Sequence, residues 1–319
     1  MLQILSADAG HQIDPTAWGN LYKHLPQTTD SRAPLLVPVS YFGNYRFNTG
    51  LPTNRRVILV DFMEYFGFQP ISTTCRLGLD PLPVNLANDP EWQKLDQWVR
   101  HIREEELLVV EFKRELFQDC PNPNVHPIEW PCYMPAWEIE RKENFDRRPF
   151  DLFYSWGFSN PLRPAWQAGA FNLMAEGKIE VISVYEHIAA KMHEPQPKWI
   201  CMHNPHTHRL PINDIARLQA QSKCSVSLPG SGVVCFRSTE APLHTVPVIH
   251  DYGRRWSHPW VHGENCIGND RNAADTHKYL DTANDHLHSL YVAAQETLDR
   301  YRTHRYINEY VVPTIQRHL

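Results

Sequence analysis

Short apolar runs broken by proline-rich loops make up the first half of the chain. Leu35 to Ser40 (LLVPVS) and Val57 to Phe62 (VILVDF) are rich in β-branched residues and predict buried strands. A helix is predicted from about Pro90 to Glu105. Asp89 is a natural N-cap there, Pro90 suits the first helical position, and Trp92, Leu95, Trp98, Val99 and Ile102 fall on one face. Leu107 to Phe112 (LLVVEF) reads as the next strand, and helices set between apolar strands predict a parallel sheet.

Residues 138–149 (EIERKENFDRRP) are strongly charged, end in proline and read as a link between domains. Beyond them strands are predicted at Asp151–Tyr154, Ile179–Val184, Trp199–His203, Cys224–Leu228 and Val246–His250. Helices are predicted between them near Pro164–Glu176, from Tyr185, over Ile212–Gln221 and over Cys235–His244. That β-α alternation is the pattern of a doubly wound sheet. In the tail, predicted helical from Ala273 to Tyr310, one apolar stripe runs through Leu280, Ala283, Leu287, Leu290, Ala294 and Leu298.

A length of 319 residues implies about two domains at roughly 100–200 residues each. With 42% hydrophobic and 21% charged residues the chain buries a sizeable core. A net charge of -5 argues against a surface built wholly for nucleic acid. No apolar run reaches membrane-helix length, residues Met1 to Gly10 do not read as a signal peptide, and seven scattered cysteines form no CxxC pair. A cytoplasmic protein with reduced thiols is the expectation.

The chemistry concentrates between Cys224 and Asp270. The strand ending at Leu228 runs into Pro229-Gly230-Ser231-Gly232, a loop whose backbone N–H groups can approach a ligand closely. A helix start follows, which is a natural anion site. Arg237 and Glu240, three apart, share one face of its first turns. The arginine suits a diphosphate and the carboxylate suits the two hydroxyls of a ribose. At an earlier strand end, Ser155-Trp156-Gly157-Phe158 is followed by Arg163.

This segment resembles the donor-site region of GT-B glycosyltransferases, in which a glutamate after a glycine-containing turn holds the nucleotide ribose. Val246-Pro247-Val248-Ile249 and Gly263-Glu264-Asn265-Cys266 follow in the order that family shows. The strand, glycine turn and arginine around Gly157 and Arg163, with the Arg237–Glu240 pair, are also similar to phage DNA glucosyltransferases. The resemblance covers roughly residues 150–319, and a glycine-rich N-terminal loop common in GT-B enzymes is missing. It implies an α/β, GT-B-like architecture of two Rossmann-type domains, an interdomain cleft and a C-terminal bridging helix. The expected division is 1–149 for an acceptor-side domain, 150–272 for the nucleotide-sugar domain, and 273–319 for a helical segment packing back on the first. The implied activity is transfer of a sugar from a nucleoside diphosphate sugar, UDP favoured, to an acceptor hydroxyl, with a hydroxymethylated DNA base among the acceptors. Arg163 and Arg237 would hold the diphosphate, near Gly157, Gly230 and Gly232, and Glu240 the ribose. No metal is required, though a divalent cation is compatible with the scheme.

Such a transfer needs a base for the acceptor's proton. Asp61, at the end of the strand Val57–Val60, is the first candidate and Glu64 the second. A carboxylate that only caps a loop or helix start is the alternative for either. His203, His206 and His208 (HNPHTH) read as loop histidines that touch donor or acceptor, or as metal ligands of a hydrolase. A nucleotide-sugar-binding module without a working base is the third reading. Arg141, Lys142, Arg147 and Arg148, and Arg254 and Arg255 beside Trp256, are candidates for following an acceptor's phosphates, or simply solvated charge.

Overall fold

The computed structural model describes residues 3–4, 25–26, 28–30, 32–39, 53–61, 90–114, 116, 118, 120, 122–129, 145–156, 162–179, 181–185, 217–228, 244–249, 254–268 and 284–319. The protein is α/β with parallel sheets, and the chain divides into two compact units. The first comprises Met1–Tyr133, Tyr252–Ser257 and Arg300–Leu319; the second comprises Met134–Asp251 and His258–Asp299.

In the first unit, β1 (Gln3–Ile4), β2 (Leu35–Val39), β3 (Val57–Asp61), β4 (Leu108–Lys113) and β5 (Val125–Pro127) form a parallel sheet in chain order. Strands β2 and β3 fall where the LLVPV and VILVD runs predict them, because an apolar β-branched run buried on both faces suits a parallel strand. Helix α1 (Pro90–Glu104) buries Trp98, Val99 and Ile102 against Leu35, Val37, Val57 and Leu59. The helix closes with Leu107 N–H bonded to Ile102 O and Glu106 N–H to Arg103 O, with Glu106 at φ 56. That is a Schellman closure, here carried by a residue other than glycine.

In the second unit the strands are β6 (Phe150–Trp156), β7 (Val181–Tyr185), β8 (Ser222–Ser227), β9 (Val246–Ile249) and β10 (Ile267–Gly268). Their order in the sheet is β10-β9-β8-β6-β7, all neighbours parallel. Helix α2 (Leu162–Ala175) follows β6, and α3 (Asn284–Arg300) comes after β10. Trp166, Ala170 and Leu173 of α2 join Leu287 and Leu290 of α3 in one core with Leu152, Tyr154, Cys224, Val226, Val246, Val248 and Ile267. The Tyr154 and Trp166 rings meet edge to face at 5.6 Å.

The tail is not one helix. It breaks at Tyr301 and Arg302, where the chain passes from the second unit to the first, then continues as α4 (Thr303–Tyr306), a π turn (Ile307–Val311) and α5 (Val312–His318). Pro313 has no N–H to return to the turn before it, so the helix widens there. Residues 217–220 are helical, and Phe145–Arg147, inside the expected link, form a 3-10 turn of the second unit. The strand expected at 199–203 and the helices expected from Tyr185 and over 235–244 lie outside the described residues, apart from Tyr185, which ends β7 instead of starting a helix, and His244 in a turn.

Candidate functional site

Strand order locates the crevice of the second unit. From β6 the chain adds β7 on one side and then returns to add β8 on the other. In open parallel sheets, ligands bind beyond the strand C-termini where the order reverses, here between β6 and β8. Arg163 stands at that point, in the first turn of α2, with only 5% of its surface exposed. Its Nη2 donates to Leu228 O at 3.2 Å, the last residue before Pro229-Gly230-Ser231-Gly232. A guanidinium in the first turn of α2 therefore stands at the residue that follows β8, and guanidinium and helix N-terminus both attract anions. One turn along α2, Gln167 is also buried, at 3% exposure. Gly157, Gly230, Gly232, Arg237 and Glu240 lie outside the described residues.

In the first unit, Asp61 closes β3 and Lys113 closes β4, and the two are register partners. Both side chains are buried, and Lys113 Nζ donates to Asp61 Oδ2. Two positions back, Glu111 pairs with Leu59, which packs under α1, so the alternation of strand side chains sets Glu111, Lys113 and Asp61 on the α1 face. Arg103 of α1 reaches Glu111 Oε2 with Nη2 at 2.6 Å. Burial pushes the Glu111 carboxyl above the usual carboxylate range, opposed by the Arg103 and Lys113 cations and assisted by the Asp61 charge. Glu64 lies outside the described residues.

Beside Asp61, the ends of β4 and β5 are closed from within the unit. Arg254, expected to reach donor or acceptor, is 1% exposed and lies inside the first unit instead. Its Nε and Nη2 donate to Arg114 O at 3.0 and 2.8 Å, and Nη2 also donates to Ile128 O at 3.1 Å. Its Nη1 meets Glu129 Oε1 at 2.9 Å while the guanidinium stacks 4.1 Å over Trp256. Glu129 also accepts Ser257 N–H at 3.0 Å, the Ser257 hydroxyl, and Tyr306 O–H at 2.8 Å. One buried carboxylate thus joins all three stretches of chain that build this unit.

Other expectations separate in the same way. Arg148 is buried under the second sheet, donating to Ser222 O at 2.8 Å and to His244 O, with Phe145 and Tyr291 against its guanidinium. Arg255 donates to Gln118 O and Cys120 O at 3.0 and 3.2 Å. Arg147 is exposed. His203, His206, His208, Arg141 and Lys142 lie outside the described residues. The Gly263-Glu264-Asn265-Cys266 segment is a turn in which Asn265 accepts Val261 N–H at 2.6 Å and donates to Pro259 O and Thr297 Oγ1 at 3.0 and 2.8 Å. Gly263 supplies the positive φ, 78, that this turn requires. Glu264 is exposed. Among the described residues no helix is long and apolar enough to cross a membrane.

No family model matches the chain, and no curated protein matches it. Among solved structures it is similar to a T4 phage BGT mutant in complex with UDP-glucose, at 12% identity, with 99% of this chain and 96% of that chain covered. The TM-score is 0.44, which does not by itself establish a common fold.

Proposed function

We propose that this chain is a glycosyltransferase of GT-B-like architecture that moves a sugar from a nucleoside diphosphate sugar, UDP-linked, to an acceptor hydroxyl. The observation that carries the reading is the position of Arg163: buried at the β6/β8 reversal and bonded to the carbonyl from which the glycine loop departs. A diphosphate at that crevice would meet the Arg163 guanidinium, the α2 N-terminus and the loop N–H groups of Gly230 and Gly232, with Gly157 leaving room at the end of β6. Arg237 adds a second cation and Glu240 the ribose contact, as the sequence resemblance implies. The second unit is then the donor domain and the first the acceptor side.

In the transfer, the acceptor's oxygen attacks the anomeric carbon as its proton passes to Asp61, with Glu64 as the second candidate base. The bond from that carbon to the diphosphate oxygen breaks, and the nucleoside diphosphate departs with the electron pair. Arg163 and Arg237 meet the charge that grows on the leaving oxygens, which is electrostatic stabilisation of the transition state. His203 and His206 stand as candidate contacts to donor or acceptor on the sequence alone. A hydroxymethylated DNA base belongs in the acceptor screen, on the sequence likeness alone.

Thermal unfolding across UDP, GDP, their hexose conjugates and zinc tests the reading. A ligand bound only by the folded state at about 100 times its Kd adds roughly 2.7 kcal/mol of stability. UDP or UDP-glucose is expected to raise the Tm. Arg163→Met and Glu240→Ala are each expected to weaken nucleotide binding about 10-fold or more, in line with the loss of a charged hydrogen bond. No response to any nucleotide, with a zinc response that depends on His203, His206 and His208, would overturn it in favour of a metal-dependent hydrolase.

A further inference from the structure

The Asp61–Lys113 pair is placed unlike an ordinary surface ion pair. Both groups are buried, both end parallel strands, and they face each other in register at the edge where the proposed acceptor side would work. A carboxylate and an ammonium taken out of water are expensive to keep unless each satisfies the other. A structural pair is free to sit anywhere in the core; this one sits at the strand ends, where α/β folds carry chemistry. Behind it, Glu111 and Arg103 complete a set of two acids and two bases on the α1 face, and Arg114 N–H bonds Asp61 O at 2.9 Å from the backbone side.

We propose that Lys113 is a positioning residue for sugar transfer, its ammonium holding the Asp61 carboxylate in orientation at the end of β3. The inference rests on the reading of Asp61 as the base and deepens it. Lys113 exchanges no proton with the substrate. It fixes the rotation of the carboxylate by gripping Oδ2. A charged donor at 113 is therefore the property that matters, and an arginine there keeps it.

The experiment is steady-state hydrolysis of UDP-glucose, with water as the acceptor, each rate divided by the number of UDP sites counted by calorimetry so that only folded protein is compared. Lys113→Met is expected to lower kcat about 100-fold, the lower range for loss of a working base, with KM for UDP-glucose unchanged. Lys113→Arg, which keeps a charged donor, should return most of the rate with KM still unchanged. Lys113→Gln, which keeps a donor but no charge, carries the test if the methionine variant does not fold, and should behave like it. If Asp61→Asn abolishes turnover while Lys113→Met or Lys113→Gln keeps wild-type kcat, Lys113 has no such role and the base assignment stands. If Asp61→Asn itself keeps wild-type kcat, both the base assignment and the role of Lys113 fall.

Discussion

The two parallel sheets finish their C-terminal edges in opposite ways. In the first, strands follow chain order without a reversal among the described residues, and the ends of β4 and β5 are closed by Arg254, which meets Glu129 and the carbonyls of Arg114 and Ile128. In the second, the order reverses at β6, and the arginine there binds the carbonyl at the start of a glycine loop. A reversal of strand order marks a crevice beyond the strand ends; the first sheet has no such point among the described residues, and part of its edge is filled by the chain itself. Similar β-α rhythms in sequence therefore lead to one edge partly closed by an internal ion pair and another with an arginine at the reversal of strand order.

The strongest way to break that comparison is to remove the seal. Glu129→Ala would leave Arg254 buried without its carboxylate and take an acceptor from Ser257 and Tyr306. Removing one partner of a buried pair costs about 3–5 kcal/mol, read here as a lower urea midpoint for the full chain. Glu129→Gln/Arg254→Met, which deletes both charges, should recover a substantial part of the loss. The second unit is expected to depend on apolar contact instead. Trp166→Ala, at a ring 1% exposed, should cost about 3–4 kcal/mol with no comparable recovery from any charge reversal. Equal recovery in both units would undo the contrast.

A smaller effect separates the edges by pH. His126 of β5 faces His318 of α5, their Nε2 atoms 2.9 Å apart, within the first unit. Burial, then the nearby His318, Arg317 and Arg255 charges, lower His126 to about 4. The folded pKa lies below the unfolded value of about 6.5, so the unfolded chain binds more protons between them. Stability from this group is complete above pH 6.5 and is lost as pH falls toward 4. Because His126 is only half-buried, the loss is about 1–2 kcal/mol after allowance for screening by water. His126→Phe should flatten the stability profile between pH 4 and 6.5; an unchanged slope would assign it to other groups.

How much of this the sequence discloses depends on whether a signal is local. The strands at 35–39 and 57–61 and the helix at 90–104 are legible because period and β-branching act within a few residues. Arg163 at a strand-to-helix turn is legible for the same reason, although the strand order that gives it meaning is not. Glu111 and Lys113 are visible as charges inside LLVVEFK, an anomaly in an apolar run. The burial of Arg254 is not legible, because its partner Glu129 is 125 residues away and nothing in the local pattern pairs them. The turn around Asn265 shows the converse: a motif legible by resemblance whose described contacts are those of a well-bonded turn.

The finest comparison lies at two helix ends, one in each unit, closed by the same hydrogen-bond pattern. After α2, Lys178 N–H bonds Leu173 O and Gly177 N–H bonds Met174 O, both at 2.9 Å, with Gly177 at φ 70. After α1 the matching left-handed position is Glu106 at φ 56. A side chain in that conformation costs about 1–2 kcal/mol, while glycine gives back part of the gain through its freer unfolded chain. Glu106→Gly is therefore expected to raise stability by about 0.5–1 kcal/mol in urea titrations. Gly177→Ala should lower it by about 1 kcal/mol, and from backbone conformation alone, since a Cβ there meets nothing within 4 Å. If Glu106→Gly instead destabilises the chain, the side chain at 106 makes a contact worth more than its strain. If the two substitutions have the opposite signs expected, the helix ends differ only in how much strain each unit tolerates.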